Sequence, residues 1–366
     1  MHSEGQRAGR VARGVGRDRC VGHPEHDPAR VRELRNLPHL AAGGGLLTVY
    51  GKGIDAAQNL RPEEIKESDF PDESKRWLAY DVRLSLSLDR TPPAATGYGF
   101  DTSVRSAFGL GAHRLVYAGS ISSPTLTRTR TSGAVTVRMS KFFWLFRPKE
   151  RLSFVVGRDD LPTGLGLPGA ASYSRRVTTP DVSSTPTQVK MFWWNDRWQV
   201  SSYGFGPDGN ETSPQFEAYG VGGMVGADVW KDRAVVGVTT RVSRADAYDR
   251  RSGGVFLRLG LTEHFGVLLQ QEVIGRTTNR GAKFTHLASH SEIFFVPFDW
   301  LQTALGVDQV ATSGGPYSYR ISPSAQVRLN RNISVEFKTR DAITGPATAN
   351  RRTRTYSLEV QLKTVE

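Results

Sequence analysis

From residue 80 onward, apolar and polar side chains alternate with a period of two. Tyr80, Val82, Leu84, Leu86 and Leu88 are interleaved with Asp81, Arg83, Ser85, Ser87 and Asp89. That spacing puts each set on its own face of a β-strand and on no single face of a helix. The alternation returns in Val135, Val137 and Met139, in Val255, Leu257, Leu259 and Leu261, and in Ile333, Val335 and Phe337, and it closes the chain in Tyr356, Leu358, Val360 and Leu362. Read along the whole chain it predicts about sixteen strands, near 77–88, 97–109, 112–122, 131–145, 151–160, 185–194, 198–206, 216–230, 233–243, 253–262, 265–275, 283–296, 299–312, 317–329, 332–341 and 353–364. Most of these reach ten residues. Strands in soluble domains run about five or six, whereas a tilted strand needs about nine to eleven to cross a bilayer. The expected fold is therefore all-β, a transmembrane antiparallel up-and-down barrel of about sixteen strands.

The connections support the same architecture, because short and long ones are expected to alternate. Short ones fall at 109–111, 147–150, 195–197, 231–232, 263–264, 297–298 and 330–331; long ones at 89–96, 123–130, 161–184, 207–215, 244–252, 276–282 and 342–352, with 313–316 barely longer than a turn. A membrane barrel has this asymmetry between its two rims. Trp144, Trp193, Trp194, Trp198, Trp230 and Trp300 sit near the short turns and Trp77 opens the first strand, while Tyr98, Tyr203, Tyr219, Tyr317, Tyr319 and Tyr356 sit near the long loops. Two aromatic levels bracketing an apolar band are expected of interfacial girdles.

Composition narrows the alternatives. The chain has 366 residues, 38% of them hydrophobic, and a formal net charge of +12. No stretch approaches the roughly 18 uninterrupted apolar residues of a membrane-spanning helix. One cysteine, Cys20, excludes a disulfide framework and multi-cysteine metal centres. Residues 1–45 are rich in Arg, Gly, His and Pro without apolar periodicity and read as a disordered basic segment; 46–76 read as a periplasmic or lumenal lead-in, and 77–366 as the barrel. Cys20 and His23, with His26 and His39 nearby, lack the second thiol of c-type haem attachment, so neither metal nor other cofactor is assigned. The 7–15-residue apolar stretch of a secretory signal is missing from this start.

The stretch 151–166, RLSFVVGRDDLPTGLG, with Gly-Arg followed by Pro and Gly leading into the longest loop, resembles the strand-and-loop pattern of Gram-negative outer-membrane porins, general or substrate-selective. The resemblance covers 77–366 and implies a location in the outer membrane and a water-filled lumen. If the apolar register faces lipid, Arg83, Arg105, Arg138, Lys190, Arg241, Arg258, Arg320, Arg328, Lys338 and Lys363 face that lumen, together with Asp81, Asp101, Asp228, Glu272, Glu292, Asp308, Glu336 and Glu359.

A wall that leans basic suggests passive diffusion of small hydrophilic solutes with a weak preference for anions. Loop 161–184 either folds inward as a constriction or stands outside. The constriction reading assigns Asp159, Asp160, Arg175 and Arg176 to it. Expected partners are the solutes or anions themselves and the membrane, including lipopolysaccharide phosphates; no nucleic acid is implicated. An alternative function is a barrel that sheathes a partner such as a periplasmic c-type cytochrome. Enzymatic function is not expected: His290 and Glu292 lie on the opposite strand face from Ser289 and Ser291, and no P-loop, HExxH or GxSxG motif occurs.

Overall fold

A computed structural model describes residues 78–90, 95–110, 113–127, 136–149, 151–159, 161–162, 165, 186–195, 197–207, 218–230, 233–262, 264–298, 300–315, 317–330, 333–345 and 351–363. The N-terminal segments expected at 1–45 and 46–76 lie outside the described residues. The chain divides into two compact units, Met1–Asn36 and Leu37–Glu366, and every described residue belongs to the second.

The described residues form sixteen strands: β1 (Leu78–Asp89), β2 (Ala95–Leu110), β3 (His113–Thr127), β4 (Thr136–Lys149), β5 (Leu152–Arg158), β6 (Thr187–Trp194), β7 (Trp198–Gly206), β8 (Tyr219–Trp230), β9 (Ala234–Ala245), β10 (Tyr248–Gly260), β11 (Phe265–Thr278), β12 (Lys283–Phe298), β13 (Leu301–Thr312), β14 (Tyr317–Arg328), β15 (Ile333–Gly345) and β16 (Arg351–Lys363). Each pairs antiparallel with its sequence neighbours, and β1 pairs with β16 to close the barrel. Closure leaves no unpaired edge, which a sheet surrounded by hydrocarbon requires. Asp81 is in register with Lys363, so the first and last strands have their outer ends on the rim that carries the short turns.

Leu84, Leu86 and Leu88 on β1 stand in register with Val360, Leu358 and Tyr356 on β16, and the leucines are exposed on the outer face. The same phase runs round the barrel through Val189, Val221, Val238, Val255, Val273, Leu305 and Phe337, all exposed. A continuous apolar outer surface of this extent requires an apolar solvent. Near the short-turn rim it ends in stacked rings, His113 on Trp144 and Phe146, Phe146 on Phe154, and Phe298 on Trp300. Tyr219, Tyr317, Tyr319 and Tyr356 stand on the outer phase near the other rim.

The structure corrects two expectations. Trp194 and Tyr203 are buried on the inner face and belong to neither girdle. Trp193 precedes Trp194 directly, and successive strand residues point to opposite faces, so only one of the two can meet lipid. The long connections also shrink in the second half of the chain: β9 and β10 are joined by Asp246 and Ala247 alone, where a loop over 244–252 was expected, and β11 runs on to Thr278. Asp249 and Arg251 make the outer face polar there, which erases the apolar–polar contrast while the ladder continues, Arg244 pairing with Asp249 and approaching it to 3.6 Å.

Inner-face aromatic rings lie across glycines on the adjacent strand. Tyr203 is in register with Gly222, Phe256 with Gly237, and Phe294 with Gly266. A Cβ at Gly237 would lie 2.1 Å from Phe256 Cζ and one at Gly266 would lie 2.2 Å from Phe294 Cζ. These rings therefore turn sideways along the wall instead of projecting across the lumen.

Candidate functional site

β5 has only seven residues and stops inside the barrel. Gly157, one residue before its end, has φ +132 and sits so close to β4 that a Cβ would be 2.4 Å from the Phe142 carbonyl oxygen, a backbone that only glycine adopts without strain. The chain leaves the wall at Asp159. Lys190 on β6 donates to Asp159 Oδ2 at 2.7 Å, Lys141 on β4 lies 3.1 Å from Oδ1, and Gln188 donates to the Asp159 carbonyl oxygen at 2.5 Å.

Past this anchor the segment turns into the lumen. Leu161 packs with Tyr203, Phe205, Ala218, Ala245 and Tyr248. Leu165, 1% exposed, packs with Phe192, Trp194, Met224, Val235, Phe256, Leu268 and Phe294 from β6 to β12. Its N–H donates to Gln270 Oε1 at 3.1 Å and its carbonyl accepts from Arg258 Nη2 at 2.9 Å. Backbone groups inside a packed lumen need such partners, and two wall side chains supply them. Leu161 and Leu165 thus lie inside the barrel. Asp160, Arg175 and Arg176 lie outside the described residues.

The expected lumenal residues fall into two environments. Lys190, Arg241 and Arg258 are on the inner face but buried: Lys190 holds Asp159, Arg258 holds Leu165, and Arg241 lies 3.9 Å from Glu272. Arg83, Arg328 and Lys338 are also on the inner face and are half-exposed. Arg83 lies 3.7 Å from Glu359 and Lys338 3.8 Å from Glu336. Level with Arg83 and Arg328, Gln326 donates to Ser334 and Ser334 to Gln361, which links β14, β15 and β16. Arg105 is in register with Ala79 and Ala118, and Arg138 with Ser120.

Between the two environments an ionic chain crosses three strands. His290 on β12 has Nε2 3.5 Å from Glu292 and Nδ1 2.8 Å from Asp308 on β13; Arg320 on β14 donates from Nε to Asp308 at 3.0 Å. His290 and Asp308 are in register, as are Asp308 and Arg320, so strand pairing itself aligns these charges. Ser289 and Ser291 occupy the opposite phase of β12, as expected from the sequence.

Among the inner-face arginines that escaped the sequence reading are Arg250 and Arg276. Both had been placed in loops, yet they are in register with each other on β10 and β11, and the Arg276 guanidinium lies 4.2 Å from the centre of the Tyr248 ring. Counting back by twos from Arg258 through Phe256, Gly254 and Ser252 reaches Arg250 and would have found it.

The fold is that of the outer-membrane porins. An anion-selective porin from Comamonas acidovorans matches with TM-score 0.63 and 8% identity, over 78% of this chain and 98% of that one. OprB of Pseudomonas putida matches with TM-score 0.59 and 8% identity over 78% and 94%, and Salmonella typhi OmpF with TM-score 0.56 and 11% identity over 78% and 97%. No protein-family model and no curated protein sequence matches the chain.

Proposed function

We propose that this protein is a channel in the outer membrane of a Gram-negative bacterium for passive diffusion of small hydrophilic solutes, with a weak preference for anions. The observation that carries the reading is the solvent-accessible inner wall from β14 to β1. Its described charged side chains are Arg83, Arg320, Arg328, Lys338 and Arg340 against Glu336 and Glu359, none of them buried. Half-exposed charges on a lumen wall fit a water-filled passage, and an excess of cations raises the local concentration of anions. The inward segment at Leu161 and Leu165 packs on the other wall, which is consistent with a narrowed lumen that stays wet along the charged side. The likeness to a porin described as anion-selective agrees with this reading through the fold alone.

Purified protein reconstituted in planar bilayers should give open conductance, with a reversal potential displaced to the anion side in a salt gradient. Well-folded barrels without conductance, or barrels that co-purify with haem absorbance, would replace the channel with a sheath around a cytochrome.

A further inference from the structure

On its outer face, β16 changes chemistry step by step toward the loop rim: Leu362, Val360 and Leu358, then Tyr356, then Arg354 and Arg352. β1 repeats the sequence of chemistries with Leu84, Leu86, Leu88 and then Arg90, whose backbone N–H donates to the Arg354 carbonyl at 3.0 Å. Alternate strand residues are about 6.6 Å apart, so the arginines stand one to two steps beyond the aromatic level. That is the headgroup depth, where hydrocarbon gives way to charged lipid.

The arginines are also gathered laterally. Arg354 is in register with Asp341 on β15, and Arg90 follows the β1 register to stand beside Arg354. Arg354 donates to Asp341 Oδ2 at 2.6 Å, Arg352 donates from Nε to Oδ1 at 2.8 Å, and Arg90 lies over the Tyr356 ring at 5.6 Å. Two guanidiniums thus hold one carboxylate while a third lies on the neighbouring Tyr356 ring, and the side chains of Arg352 and Arg354 remain 61% and 46% exposed. Like charges side by side across a ladder repel each other. An anion shared among them removes that repulsion, and a guanidinium presents the planar donor fork that phosphate oxygens accept.

We propose that Arg90, Arg352 and Arg354 dock the phosphate groups of lipopolysaccharide, with its acyl chains lying on the leucine and valine band directly beneath. Asp341 orients two of the guanidiniums and Tyr356 supports the third. The site is on the outer surface and is independent of what passes through the lumen.

The test uses the full-length protein in detergent, titrated with fluorescent bis-phosphorylated lipid A, with dephosphorylated lipid A, and with inorganic phosphate as competitor. Each arginine near an anionic surface contributes roughly fivefold in affinity, so the triple variant Arg90→Gln, Arg352→Gln, Arg354→Gln should bind phosphorylated lipid A at least about tenfold more weakly. Arg244→Gln with Arg251→Gln, on the outer phase of β9 and β10, should leave binding unchanged. Heat-modifiable migration checks that the triple variant is folded; if it is not, Arg352→Gln alone should still weaken binding. Equal binding by the wild type and the folded triple variant would overturn the proposal. So would equal binding of dephosphorylated lipid A, or displacement by millimolar inorganic phosphate.

Discussion

The inner wall from β6 to β12 and the inner wall from β14 through β16 to β1 arise from the same two-residue alternation and end in different environments. On the first, Phe192, Trp194, Met224, Phe256, Leu268 and Phe294 are buried around Leu165, and the charges among them are spent on holding Asp159 and Leu165. On the second, serines, glutamines and half-exposed ions face the lumen. What distinguishes the walls among the described residues is that Leu161 and Leu165 pack against the first. A covered inner face behaves as a protein core, with packing and buried polar pairs that need their partners, whereas an uncovered one behaves as a solvated surface whose charges act on passing ions.

The largest expected effect is steric. Gly237→Leu on the covered wall places a side chain where the Phe256 ring lies and should abolish the heat-modifiable barrel, whereas Ser357→Leu on the accessible wall should leave assembly intact. Equal assembly of the two would mean that the walls are not packed differently.

Next comes the loop anchor. Asp159→Ala removes the carboxylate from Lys190, which is 3% exposed, and breaking a buried pair from one side costs on the order of 3–5 kcal/mol. Denaturant titration should show that loss, recovered in part by adding Lys190→Met, and single-channel records should become noisier as the segment loosens. An unchanged midpoint would show that the anchor does not hold the loop.

The smallest effect on stability belongs to the accessible wall. Arg83→Glu with Lys338→Glu should change stability by less than about 1 kcal/mol, since half-exposed ion pairs are worth little, yet should shift the reversal potential toward cations. A shift in stability without one in selectivity would assign these residues to structure.

Much of this molecule is legible in its sequence. Leu84, Leu86 and Leu88, like Leu358, Val360 and Leu362, face outward as the alternation predicts, because lipid demands an apolar side chain at every second position while the other face stays polar. That contrast is local, so a single strand reveals it. It fails wherever both faces share one character. Above the apolar band, polar residues on both faces hid Arg250 and Arg276 in apparent loops. On the covered wall, Val267, Leu268 and Leu269 are apolar in succession, and no rule of alternation says that Leu268 points inward against a loop. Only the tertiary structure decides that, since Leu165 reaches its partners Arg258 and Gln270 across 93 and 105 residues of chain. The sequence by itself determined two faces, about sixteen strands and the solvent of the outer one. Which part of the inner face would be buried depended on where Leu161 and Leu165 came to rest, and burial is a property of the neighbours a residue acquires on folding.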